Sequence, residues 1–186
     1  MITALKNTTT RKIPRIRFRC PSCTDKHDGF PALAYAMPDV IFALPVAERE
    51  ARAVISSDLC VLDDVQYFVR CVMVVPVQAC GDTIEYGPWV EVDGRDFSRY
   101  AVHFNGGGHP AWTAAEGVLA NAFPANSQTT LGLSCLIRSS ADPSQRPGVE
   151  ILDHGHALHA EQLNGIALPR AMEIVSQMKG YLLLVD

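Results

Sequence analysis

The residues of this chain best suited to chemistry are its cysteines and histidines. Cys20-Pro21-Ser22-Cys23 sets two thiols two residues apart, and a pair so spaced can grip one metal ion from a tight turn. A structural Zn2+ takes four ligands, and the sequence has no second pair with this spacing. His27, Cys60 or a histidine from residues 154–159 must then complete the set, and Cys20, Cys23, His27 and Cys60 form the candidate group. Two other readings stay open. A redox pair needs its cysteines at a helix start after a strand, where the helix dipole lowers a thiol pKa, whereas Thr24 to Gly29 has the composition of a loop. The pair can also be two reduced turn cysteines without further chemistry. His154, His156 and His159 form a second cluster, the alternative catalytic metal site. Without an HExxH pattern, it reads as a polar surface loop.

Other catalytic signals are missing. Gly132-Leu133-Ser134-Cys135-Leu136 lacks the second glycine of a nucleophile elbow. There is no P-loop and no GxGxxG. The glycine amides from Asn105 to His109 could cradle an anion, but a bare triple glycine reads as flexible linkage. Ser56-Ser57-Asp58 suits a turn or cap, and Trp89, Phe97 and Trp112 suit a core or an interface.

The elements that must position these residues are mostly strands. Residues 1–12 form a polar arm, and 13–186 form one domain. Arg15 to Cys20 alternates with period two, with Ile16, Phe18 and Cys20 on one face and three arginines on the other. Cys20 to Pro31 is a turn region. A short helix is expected over Ala47 to Ala53, with Pro45 at a helix start. Leu59 to Leu62 is a strand, followed by an Asp63-Asp64 turn. Tyr67 to Val77 reads as a central strand, almost continuously apolar, in which Arg70 needs an edge position or a carboxylate and Pro76 should end the ladder or mark a bulge. Thr83 to Val92 returns as the next strand, and Arg95 to Phe104 is a short helix. Residues 111–120 fit helix or strand. Further strands are expected around Leu131 to Ile137 and Val149 to Leu152. The last helix begins at Pro169, buries Ala171, Met172, Val175 and Met178, and stops at Gly180. The apolar tail Tyr181 to Val185 packs as a strand or enters a subunit interface, which is compatible with a homodimer. This order predicts an α+β fold, a single domain with a largely antiparallel sheet, a few short helices and the C-terminal helix packed on the sheet.

Composition excludes several classes. The 186 residues are 48% hydrophobic and carry a formal net charge of −4, which is not a disordered composition. No run approaches the roughly 20 apolar residues of a membrane span. An acidic chain argues against general nucleic-acid binding, although Arg11, Lys12, Arg15, Arg17 and Arg19 crowd the start and leave the rest more acidic. Met1 to Leu5 is too short for a signal peptide. The expectation is a cytoplasmic protein with reduced cysteines rather than a disulfide framework.

Four segments in order resemble DUF2199, a family of bacterial domains of unknown function. They are Phe18-Arg19-Cys20-Pro21-Ser22-Cys23 with His27; Ser56 to Asp63 with Tyr67-Phe68-Val69-Arg70; Gly87-Pro88-Trp89-Val90-Glu91-Val92 with Phe97; and His156-Ala157-Leu158 with Glu161-Gln162 and Gly165-Ile166. The resemblance spans residues 16–180 and implies one compact bacterial domain without a transferable activity. Thr24 stands where the family usually has glycine after the second cysteine, a position where a zinc knuckle uses positive φ. Cys71 likewise replaces a common glycine, and Ala157 and His159 replace a more usual Pro and Ala.

The functional expectation is a small non-catalytic protein that associates with another protein. An acidic body fits a basic partner, as in an immunity or antitoxin-like inhibitor of a basic toxin, with a structural metal at the cysteine pair. The alternative is a zinc-dependent enzyme using that pair or the histidine cluster.

Overall fold

Short apolar runs rich in β-branched and aromatic residues, punctuated by Gly, Pro and Asp, favour many short strands. The structure is a computed structural model that describes residues 13–78, 80–104, 113–140, 142 and 144–185. The arm over residues 1–12 and the glycine loop over 105–110 lie outside the described residues.

The chain forms an α+β domain with, among the described residues, thirteen strands and five short helices. A seven-stranded antiparallel sheet has the order β12 (Gly148–Ile151), β11 (Ser134–Arg138), β10 (Ala114–Leu119), β9 (Trp89–Val92), β6 (Gln66–Arg70), β5 (Leu59–Leu62), β4 (Ala53–Ile55). A second sheet joins β3 (Leu33–Ala34), β8 (Asp82–Gly87) and β7 (Met73–Val77), with β3 parallel to β8. The third joins β13 (Leu182–Val185), β1 (Ile16–Arg19) and β2 (Lys26–Asp28). The helices are α1 (Asp39–Phe42), α2 (Val46–Arg52), α3 (Gly94–Phe104), α4 (Ala157–Asn164) and α5 (Leu168–Ser176). Among the described residues no helix is long and apolar enough to cross a membrane.

Two expected long strands are each broken. Residues 67–77 divide into β6 and β7, and residues 83–92 into β8 and β9, so one hairpin is shared between two sheets. The break falls where Cys71 donates its N–H to the Pro88 carbonyl, 2.8 Å away. Pro88 has no N–H to return, and Val72 turns instead to Pro147 and Val149, donating to the first and accepting from the second. Pro76 lies within β7, at the edge of its sheet, where its missing donor removes no ladder bond. Arg70 ends β6 half-buried. Its Nη1 donates to the Ser57 carbonyl at 3.3 Å and its guanidinium lies 5.9 Å from the Trp89 ring centre.

Two apolar clusters flank β6 and β9. The main one includes Val69, Val90, Tyr86 and Ile137 and takes in Ala171 and Ile174 of α5. The smaller one joins Ile41 of α1 to Cys60, Leu62, Phe68 and Trp89. At the β9–β10 crossing a Cβ on Gly117 would run into the Glu91 carbonyl, so only glycine fits. The final helix ends earlier than expected, with Gln177 as its C-cap and Pro169 in its second position, and Met172 faces outward at 43% exposure. The apolar tail is a strand, antiparallel to β1 with Ile16 opposite Val185 and Arg19 opposite Leu182.

Candidate metal centre

β1 and β2 are the legs of a hairpin whose turn carries the cysteine pair. Residues 26–28, expected as turn, are a strand only because they pair with β1; all three are exposed and give no burial pattern. The turn is closed by Cys20 N–H to the Asp25 carbonyl and Thr24 N–H to the Cys20 carbonyl, both 3.0 Å. Thr24 adopts φ +63°, the left-handed conformation that a glycine supplies in a knuckle. Its hydroxyl donates to the Cys23 carbonyl at 2.6 Å. Thr24 thus takes up the positive φ of this turn itself.

This turn gathers three metal-binding side chains. The thiols of Cys20 and Cys23 and a ring nitrogen of His27 all lie within 4.8 Å of one another. Cys23 Sγ is 3.1 Å from His27 Nε2. Zn–S and Zn–N bonds of about 2.3 and 2.0 Å in a tetrahedron separate ligand atoms by about 3.5–3.8 Å, so small side-chain rotations admit the ion. Phe18, directly across from His27, stacks on its ring with 5.1 Å between centroids. Tyr181 packs against Phe18 from beyond, at 5.8 Å. The backbone N–H groups of Cys23 and then Ser22 point at the Cys20 sulfur and hold its thiol below the ordinary cysteine range. Amides aimed at sulfur favour the thiolate, the form that binds metal. The turn runs into β2 rather than a helix, which removes the helix start that the redox reading requires.

Cys60 does not belong to this group. It is fully buried in the smaller apolar cluster beside Ile41 and Phe68, and burial pushes its thiol up to about 12. Its sulfur is not among the ligand atoms that converge on the turn. The chain thus supplies three ligands from a single turn, and among the described residues no fourth joins them.

The histidines of the second cluster are engaged in local hydrogen bonds and, among the described residues, do not converge as a ligand group. α4 begins at Ala157, where a surface loop was expected, and His156 caps it: Nδ1 accepts the Leu158 N–H at 3.1 Å. His156 is 6% exposed, and its Nε2 is buried without a hydrogen-bond partner. His159 Nδ1 lies 2.8 Å from the Ile151 carbonyl, which only accepts, so that nitrogen carries the proton. His159 Nε2 then accepts from His154 Nδ1 at 2.9 Å.

Asp58 has a role that its local sequence does not reveal. The Ser56 to Leu59 turn forms as expected, with Ser56 Oγ accepting from the Leu59 N–H at 2.9 Å. The Asp58 carboxylate is also buried against Arg146, 88 positions along the chain, and accepts from Ser57 Oγ. The pair lines an open cleft of about 820 Å³ with Arg138, Glu85 and Ser144. Two smaller clefts, of about 490 and 410 Å³, lie beside Arg170 and Asp82. None of these three is lined by Cys20, Cys23 or His27.

No curated protein and no solved structure matches the chain. Residues 19–166 of the 186 match the family described as an uncharacterized protein conserved in bacteria, DUF2199. That span holds the turn with Cys20, Cys23 and His27, the long broken hairpin and the histidine-capped helix, and over it the chain belongs to the DUF2199 family.

Proposed function

We propose that this is a non-catalytic binding protein that associates with a basic protein partner, in the manner of an immunity or antitoxin-like inhibitor, and that Cys20, Cys23 and His27 hold a structural Zn2+. The observation that carries the metal part is the convergence of two thiols and an imidazole within 4.8 Å on one turn. Its position supports a structural role: the ligands sit on an outlying hairpin, and none of the three clefts described above touches them. A catalytic zinc site instead opens into a pocket that holds substrate.

One observation favours the second reading, a zinc-dependent enzyme. Three protein ligands with an open fourth position is the ligand count of a catalytic zinc.

Protein purified from its native cells at moderate salt, without chelator or polyhistidine tag, separates the two. The structural reading expects about one zinc per chain, a co-eluting basic protein, and a Cys20→Ser, Cys23→Ser variant that loses the metal and melts at lower temperature. Metal-free protein with wild-type stability would sink the zinc assignment. A variant that folds normally but loses a hydrolytic activity present in the wild type would favour the enzyme.

A further inference from the structure

The sheet corner formed by α1, α2 and β4 departs from how helices and sheet edges are normally held. α2 has seven residues and buries none of them. A helix this short has little stability of its own and normally relies on packing an apolar face. Around it Phe42, Val46 and Val54 are 69%, 64% and 75% exposed. β4 ends the seven-stranded sheet, and its Ala-Val-Ile sequence has none of the charges or prolines that usually blunt an open edge.

The charge at this corner is net negative, with Glu48, Glu50, Asp63 and Asp64 against Arg49 and Arg52. Arg49 donates to the Phe42 and Leu44 carbonyls at 2.9 and 3.2 Å, with its guanidinium 5.7 Å from the Phe42 ring centre. Arg52 is held by Glu48 at 3.0 Å and Asp63 at 2.7 Å. Both cations are thus occupied within the corner. Glu50 and Asp64 are exposed and, among the described residues, have no ion-pair partner. The wider field has the same sign: from residue 31 onward the chain has nine basic and eighteen acidic residues.

We infer that this corner is a docking surface for a basic protein, whose apolar side chains cover Phe42, Val46 and Val54 while its Lys and Arg side chains meet Glu50 and Asp64. The inference rests on the protein-binding reading above and names the face that serves it. A second copy docking by the same corner fits poorly, because it would set one acidic rim against another. A basic partner both covers the apolar centre and neutralises the rim, and it gives α2 the packing it lacks.

The test uses the full chain in its native cells, with photoreactive p-benzoylphenylalanine at Val46. A second chain carries it at Leu163, 73% exposed on α4. The expected result is a Val46 adduct with a protein of net positive charge, whose yield falls roughly tenfold when Glu50→Lys and Asp64→Lys are added. Circular dichroism checks that the charge-reversed chain is folded. A Val46 adduct with a second copy, with an acidic protein, or with a yield indifferent to charge reversal overturns the inference. So does an adduct at Leu163 alone, which leaves the binding reading standing. A chain that elutes by itself, with no adduct at either position, overturns both.

Discussion

Phe18 and His27 are cross-strand partners whose rings stack face to face, and this contact aims His27 Nε2 at the Cys23 sulfur. Cross-strand aromatic pairs contribute up to about 1 kcal/mol, close to a fivefold change in a binding constant. Phe18→Ala is expected to weaken zinc binding by up to about fivefold, measured by competition with a chromophoric chelator. Phe18→Tyr keeps the ring and is expected to keep the affinity. Equal affinities for the Ala variant and wild type would remove the stacking from the account.

Thr24 carries a β-branched side chain at φ +63°, where such residues are strained. Thr24→Gly relieves the strain but loses the hydroxyl bond to Cys23 and gains freedom in the unfolded chain. The net expectation is a gain of about 1 kcal/mol or slightly less, a rise of roughly 2–4 °C in melting temperature for a chain of this size. Thermal unfolding of the metal-free protein measures it; a lower Tm would show that the hydroxyl bond outweighs the strain.

The lowered pKa of Cys20 has a definite sign. Its thiolate is favoured in the folded state, so the contribution to stability is fully present above the unfolded thiol's pKa. It is lost as pH falls through the lower folded value. In metal-free protein, Cys20 alkylation by iodoacetamide should therefore reach its plateau at a lower pH than that of an ordinary thiol. Peptide mapping across a pH series reads this directly. A Cys20 profile matching a model peptide would show that the Cys23 and Ser22 amides do not hold the sulfur.

His156 caps α4 with Nδ1 while burying an unpartnered Nε2. Removing a cap costs about 0.5–2 kcal/mol, and an unmet buried N–H carries its own penalty. His156→Ala should destabilise by about 1 kcal/mol in urea titration. His156→Asn can cap without the second nitrogen and should match or exceed wild type; an Asn variant as weak as Ala would mean the imidazole's packing, not its cap, is what matters.

Asp58 is 6% exposed and neutralises Arg146 close to Arg70. Losing one partner of a buried pair costs about 3–5 kcal/mol, and the partly exposed Arg146 reduces this to about 2 kcal/mol. Asp58→Asn should lower stability by that amount, and Arg146→Met should recover part of it in the double variant. A simple sum of the two single losses would deny the coupling.

The sequence made β1 legible through its strict alternation, and β13 through its apolar tail. The knuckle was legible through the spacing of Cys20, Cys23 and His27. The exposed residues Lys26 to Asp28 were not, because only pairing to β1 makes them a strand. Cys60 was misplaced in the candidate group because residue type records nothing about depth. The break at Cys71 escaped because apolar runs on the two sides of a fold in the backbone look alike until Pro88 is seen opposite. The helix cap of His156 was hidden because imidazole is an uncommon capping group.

The pairing of β1 with β13 sets an order of events during synthesis. The turn bearing Cys20, Cys23 and His27 needs nothing beyond residue 28 for its pairing, so this hairpin can form while the chain is still emerging. The outer edge of β1 stays open until residues 182–185 arrive, and closing so long a loop comes at an entropic cost and slows folding. Until then the turn's own backbone bonds, Cys20 N–H to Asp25 and Thr24 N–H to Cys20, are what keep that waiting strand beside β2.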